Sequence, residues 1–166
     1  MRDDFYTLKL VVGSTISGKS TMLLRELCER LKRGEKVLYV DTEHNSRMFV
    51  KKYIYSVTGK IVDNANYEND SEIAEEIDRL NGAVNDASLS FRHLTSGFDF
   101  EVLDRIIDDS IDVVFVDYLS CNRINASEYI RKLTCFPHKY RLDMICAVPG
   151  NVGTKLTVEK YDVIPR

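Results

Sequence analysis

Residues Gly13-Ser14-Thr15-Ile16-Ser17-Gly18-Lys19-Ser20 match the pattern G-x-x-x-x-G-K-[ST] in full. The chemistry of that spacing is phosphate binding. Two glycines let the backbone curl so that successive N–H groups point inward. Those donors, with the start of the following helix, hold phosphate oxygens. Lys19 would reach the β and γ phosphates, and the Ser20 hydroxyl would ligate Mg²⁺. Thr21 stands where it can contact the α phosphate or act as a helix cap. The nucleotide contacts therefore run over Gly13, Ser14, Thr15, Ile16, Ser17, Gly18, Lys19, Ser20 and Thr21; the motif fits ATP or GTP alike, and ATP with Mg²⁺ is the expected pair.

A magnesium site of this kind needs a carboxylate at the end of an apolar strand, expected beside the first strand. Val113-Val114-Phe115-Val116-Asp117 fits, which makes Asp117 the second metal residue. Asp112, ahead of that run, reads as a surface residue.

The elements that must position these groups follow from hydrophobic periodicity. Thr7–Val12 reads as a first strand running into the phosphate loop. Lys19–Arg33 has apolar residues at helical spacing, with Gly34 ending the helix. Val37–Val40 is a second strand closed by Asp41-Thr42-Glu43. Ser46–Val57 reads as a helix. A further helix runs from a cap at Asp70 or Ser71 to Leu80, with Glu72, Glu75, Glu76 and Asp78 as its solvated face. Leu89–Leu94 is a third strand. Asp99 caps a helix with Val102, Leu103, Ile106 and Ile107 inward. After the Ile111–Val116 strand come a helix at Ala126–Leu133, a buried strand at Met144–Val148, and alternating residues Leu156–Ile164 that suggest one or two edge strands. Strands alternating with helices imply a mainly parallel, twisted sheet covered on both faces, a three-layer α/β/α fold of one domain over residues 1–166.

In that order of elements, Val40-Asp41-Thr42-Glu43-His44 resembles the acidic second-strand segment of the RecA-type recombinase core. Val116-Asp117-Tyr118-Leu119 resembles the corresponding strand of DnaB-type replicative helicases, which share that core. The resemblance spans roughly Thr7 to Ile164. It implies a RecA-like P-loop ATPase fold and carries the water-activating role onto Glu43, so that Lys19 and Glu43 are the catalytic pair. It also implies action in DNA recombination, replication or repair, with nucleotide, single-stranded DNA, further copies of the chain or a replication or recombination protein as partners. The family contacts DNA through the loops after Asp117 and Val148. The matching candidates here are Asn122, Arg123, Asn151 and Lys155. A finger from a neighbouring subunit would come from Lys155, Lys160 or Arg166. The family's polar sensor, often Gln, has Asn151 as its available counterpart, set late after Pro149-Gly150. The recombinase's N-terminal oligomerisation element has no room before the first strand.

Two other readings stand beside the ATPase. Ile16–Thr21 with Leu24-Arg25 also resembles zinc-bearing thymidine kinases, a P-loop nucleoside kinase class. That family places a catalytic Glu directly after the strand-end Asp, where this chain has Tyr118, and it has paired cysteines that are missing here. The other reading is a non-hydrolysing nucleotide-binding factor that joins a larger assembly.

The bulk composition agrees with a nucleotide-binding core. The chain has 166 residues, 44% hydrophobic and 30% charged, with 8 Gly and 3 Pro. That excludes collagen-like or low-complexity chains. No apolar run approaches the roughly 20 residues of a membrane span, and the acidic start Met1-Arg2-Asp3-Asp4 does not read as a secretory signal, so a cytoplasmic protein is expected. Cys28, Cys121, Cys135 and Cys146 form no CxxC pair, which favours reduced, mostly buried thiols over a structural zinc. The net charge of −3 counts against a purely electrostatic nucleic-acid binder. The charge is uneven, however. Residues 117–166 carry eight basic and five acidic residues (+3), and the rest carry fifteen and twenty-one (−6). His44 lies next to Glu43 and either lines the site or sits as a surface or capping residue. Tyr53, Tyr55 and Tyr67 read as packing residues, with base stacking the alternative.

Overall fold

The computed structural model describes residues 6–13, 18–63, 66–119, 126–149 and 162–163. In chain order the elements are β1 (Leu8–Gly13), α1 (Lys19–Lys32), β2 (Val37–Asp41), α2 (Ser46–Thr58), α3 (Ser71–Asn85), β3 (Leu89–His93), α4 (Phe100–Ile106), β4 (Val113–Asp117), α5 (Ala126–Tyr140), β5 (Asp143–Pro149) and β6 (Asp162–Val163).

All pairings in the sheet are parallel, and the strand order is β3-β2-β4-β5-β1-β6. One expectation is corrected here. The strand ending in Asp117 is not beside β1, because β5 lies between them. The reason is visible in burial. β5 is as continuously apolar as β4, so it takes an interior place, covered on both faces. The edge strand β3 instead carries Ser90 and exposed Arg92, and a charge of that kind blunts an open edge.

Alternation along the strands builds two cores. Val37, Tyr39, Val113, Phe115, Ile145 and Ala147 face α1, α2 and α3. Leu38, Val40, Val114, Val116, Met144, Cys146 and Val148 face α4 and α5. That is the expected three-layer arrangement. α1 packs directly on the sheet, α3 packs on β3, and α2 rides on both helices.

The helix ends follow capping chemistry. Asn45 caps α2 through the Met48 amide, Asp70 caps α3 through the Glu72 and Ile73 amides, and Asp99 caps α4 through the Glu101 amide. Two helices outrun their sequence reading. α3 continues from Leu80 to Asn85, carried by buried Ala83. α5 continues from Leu133 through Pro137 to Tyr140. Phe136 and Tyr140 pack on the second core, and Lys139 and Tyr140 both bond Asp104 of α4, so tertiary contacts override the proline. A further correction concerns the acidic face of α3. Glu76 is buried rather than solvated, accepting from the Tyr53 hydroxyl at 3.1 Å and pairing with Arg79.

Candidate nucleotide site

In a parallel sheet the strands all end on one edge, and that edge is where α/β folds bind ligands. Gly13, Asp41, Asp117 and Pro149 end β1, β2, β4 and β5 there. Register sharpens the placement: Asp41 lies opposite Asp117, and Asp117 opposite Ala147.

Gly18 occupies the N-cap of α1 with φ +79° and ψ 20°. A side chain there would meet nothing within 4 Å, so the glycine is required by its left-handed backbone rather than by crowding. Its carbonyl accepts the Met22 amide and starts the helix. The N-cap makes no side-chain bond, so Gly18 satisfies none of the helix's first amides through a side chain. The Lys19 Nζ donates to the Gly13 carbonyl at 2.8 Å. Lys19, Ser20 and Thr21 are all half-buried in the first turn of α1.

Asp117 is buried at the tip of β4. The Tyr39 hydroxyl donates to its Oδ2 at 3.0 Å. Burial, then the charge of Asp117, pushes the Tyr39 phenol well above its ordinary value, which keeps it a proton donor. Among the described residues no lysine or arginine pairs with Asp117. The phenol orients the carboxylate at the strand tip. The Asp117–Tyr118 peptide bond is cis.

Asp41 is equally buried and builds the turn after β2. Its Oδ1 accepts the amides of Glu43 at 2.8 Å and His44 at 2.7 Å. Burial raises the Asp41 carboxyl, the two amides oppose that rise, and the nearby charge of Asp117 adds to it. The His44 Nδ1 lies 3.5 Å from the same oxygen and 3.3 Å from Lys52 Nζ. Thr42 staples the two strand tips together: its amide donates to the Asp117 carbonyl at 2.9 Å, and its Oγ1 accepts the Tyr118 amide at 3.3 Å. Glu43 itself is exposed. Burial, then the charge of the Glu43 carboxylate, raises the Tyr118 phenol.

The structure therefore brings Gly13, Gly18, Lys19, Ser20, Thr21, Glu43 and Asp117 to one edge of the sheet. Ser14–Ser17, Asn122, Arg123, Asn151, Lys155, Lys160 and Arg166 lie outside the described residues, as does Cys121. Tyr39, Asp41, Thr42 and Tyr118 were not foreseen as site residues. The signal for Asp41 was present, since Asp followed two and three residues later by free amides is a local turn pattern. Tyr39 and Thr42 carry no such local signal. His44 is half-buried beside Asp41, so it lines the turn. Among the described residues Cys28 and Cys146 are buried and Cys135 is exposed, all three free, and no group of three or more His, Cys, Asp or Glu is placed to hold a metal ion. No helix there is long and apolar enough to cross a membrane.

Solved structures share this architecture. The flagellar accessory protein FlaH from Methanocaldococcus jannaschii matches with a TM-score of 0.63 and 18% identity over 91% of this chain and 65% of its own. A DnaB-like replicative helicase, solved with regard to its interactions with primase, matches with a TM-score of 0.63 and 15% identity over 87% and 38%. A further structure, described as an ATPase domain, matches with a TM-score of 0.62 and 14% identity over 86% and 57%. The chain thus spans less than two thirds of each of these neighbours. No protein-family model and no curated protein sequence matches it. The fold is the RecA-type P-loop ATPase fold. At these identities the likeness speaks for architecture alone.

Proposed function

We propose that the chain is a Mg²⁺-dependent ATPase of the RecA type that acts on DNA in recombination, replication or repair. The observation that carries this reading is the convergence of the phosphate-loop ends, buried Asp117 and the Glu43 turn on one sheet edge. Gly13 to Thr21 would hold the phosphates through backbone amides, with Lys19 exchanging its carbonyl partner for phosphate oxygens. Ser20 and Asp117 are hard oxygen donors suited to magnesium, and Asp117 carries no competing cation among the described residues. Bound magnesium would neutralise charge at the β and γ phosphates. Glu43, held by the Asp41 turn, would orient and deprotonate the attacking water. The DNA arm rests on the family resemblance, on the helicase neighbour and on the basic balance of residues 117–166.

The test is ATP hydrolysis with and without single-stranded DNA. Hydrolysis should require Mg²⁺ and rise with DNA. Lys19→Ala should remove it by deleting the cation nearest the transferred phosphate. Glu43→Gln should lower turnover by about 10²- to 10⁴-fold while leaving ATP binding intact. Full activity in Lys19→Ala would overturn the phosphate-loop assignment. Phosphate transfer to a nucleoside with no DNA effect would move the protein to the kinase class.

One observation favours a second reading. Glu43 is exposed, and its charge acts on the neighbouring Tyr118 phenol, which suits a nucleotide-binding factor that holds ATP without turning it over. ATP binding without hydrolysis in the unaltered protein would select it.

A further inference from the structure

The charge on α2 is one-sided. Its inward residues Phe49, Tyr53, Ile54 and Ser56 are buried. At 3.6 residues per turn, Arg47, Lys51, Tyr55, Met48 and Lys52 share one outward arc of about 140°. Tyr55 is 51% exposed and Met48 42%. The helix contains no acidic residue. Among the described residues no carboxylate pairs with Arg47, Lys51 or Lys52. The nearest acidic helix, α3, has its own counterions: Glu72 pairs with Lys60, and Glu75 with Arg79. These cations belong to a segment whose overall balance is negative, since residues 1–116 sum to −6.

Arg47 and Lys51, one helical turn apart and without a carboxylate partner among the described residues, and the exposed Tyr55 ring are the two components of a single-strand platform. The cations track phosphates and the ring stacks on a base. An acidic protein surface would satisfy Arg47 and Lys51 but give Tyr55 no planar partner. We propose that the outer face of α2 is a docking surface for single-stranded nucleic acid, with Arg47 and Lys51 on phosphates and Tyr55 under a base. Its residues are other than those of the loops after Asp117 and Val148. It rests on the nucleic-acid arm of the reading above and is independent of ATP turnover. α2 begins three residues after Glu43, so an occupant there would sit close to the proposed water-activating group.

The test is fluorescence anisotropy of the full chain, without nucleotide, on a labelled oligothymidylate of about 20 nucleotides from about 50 to 200 mM salt. The unaltered chain should bind. Arg47→Glu with Lys51→Glu should weaken binding at least about tenfold, and the slope of log affinity against log salt should fall by about 1.4, two phosphates' worth. Tyr55→Ala should weaken it by about fivefold or more with the slope unchanged. All these positions are exposed, so melting temperatures should hold, and Arg47→Gln with Lys51→Gln provides a gentler pair showing the same direction. Absence of binding by the unaltered chain, unchanged affinity in the variants, or equal affinity for polyglutamate would overturn the proposal. Binding of duplex as tightly as of single strand would also overturn it. Oligonucleotide binding that persists in Lys19→Ala while hydrolysis is lost would keep this inference apart from the ATPase reading.

Discussion

Asp41 is the residue on which the Glu43 geometry depends. A single carboxylate oxygen holds the two amides that turn the chain out of β2. The role needs an acceptor oxygen and not a charge. Asp41→Asn keeps that oxygen, whereas Asp41→Ala leaves two amides without it. The raised carboxyl also gives a pH signature. A carboxyl harder to ionise when folded lowers stability once ionised, an effect absent below the ordinary carboxylate value near 3.9 and complete above the raised one. Asp41→Asn should therefore match or exceed the unaltered protein in thermal stability at pH 7, and its advantage should vanish below about pH 4. Asp41→Ala should lose roughly 1–2 kcal/mol and most ATP turnover. Equal turnover in the two variants would remove Asp41 from the positioning role. Asp117 faces Asp41 from β4 and His44 faces it from the turn, and both belong to the same electrostatic balance.

At the scale of elements, α1 is tied to β5 at the end opposite the nucleotide edge. Arg30 is buried and donates to Glu26 at 3.0 Å, Glu35 at 3.0 Å and Asp143 at 2.8 Å. Asp143 also accepts the amide and hydroxyl of Thr7. Burial alone would raise the Asp143 carboxyl, but the bonds from Thr7 and Arg30 outweigh it and hold it below its ordinary value. A carboxyl depressed in the folded state stabilises fully above its unfolded value and loses that contribution as pH falls through the folded one. Asp143→Asn should thus cost about 1–2 kcal/mol at pH 7 in chemical denaturation, with the deficit narrowing below about pH 4. A deficit independent of pH would mean that Asp143 acts through packing and not through its charge. Helix ends divide into local and distant causes. Asp70 and Asp99 announce their caps locally, whereas the extension of α5 past Pro137 depends on Asp104 of another helix, which no local pattern reports.

The whole molecule has two cores on one sheet. Alternate residues of β2, β4 and β5 serve both, so neither core can come apart while the other keeps its strands. Leu27 belongs to the first core and Leu133 to the second, and both are fully buried. Leu27→Ala and Leu133→Ala should each cost about 3 kcal/mol and lower one shared thermal transition. Two separated transitions would show that the cores melt independently. Much of this architecture was legible along the chain, because strand burial and helix periodicity are local consequences of side-chain type. The proposed phosphate-binding segment is read in consecutive order, and its described ends, Gly13 and Gly18 to Ser20, stand at the strand-end edge. The acidic residues at the two strand ends, Asp41 and Asp117, were visible as residues. Their opposition across the β2–β4 pairing was not, and neither was the Tyr39 hydroxyl on Asp117, which joins positions 78 residues apart. The insertion of β5 between β1 and β4 was also unreadable. Strand order depends on which buried faces pack together in three dimensions, and equally apolar strands look alike in one. By itself the sequence determined which residues could handle phosphate and which elements would carry them. The tertiary structure alone decided how those elements are ordered and which distant partners hold each group in place, because long-range contacts leave no fixed spacing in the chain.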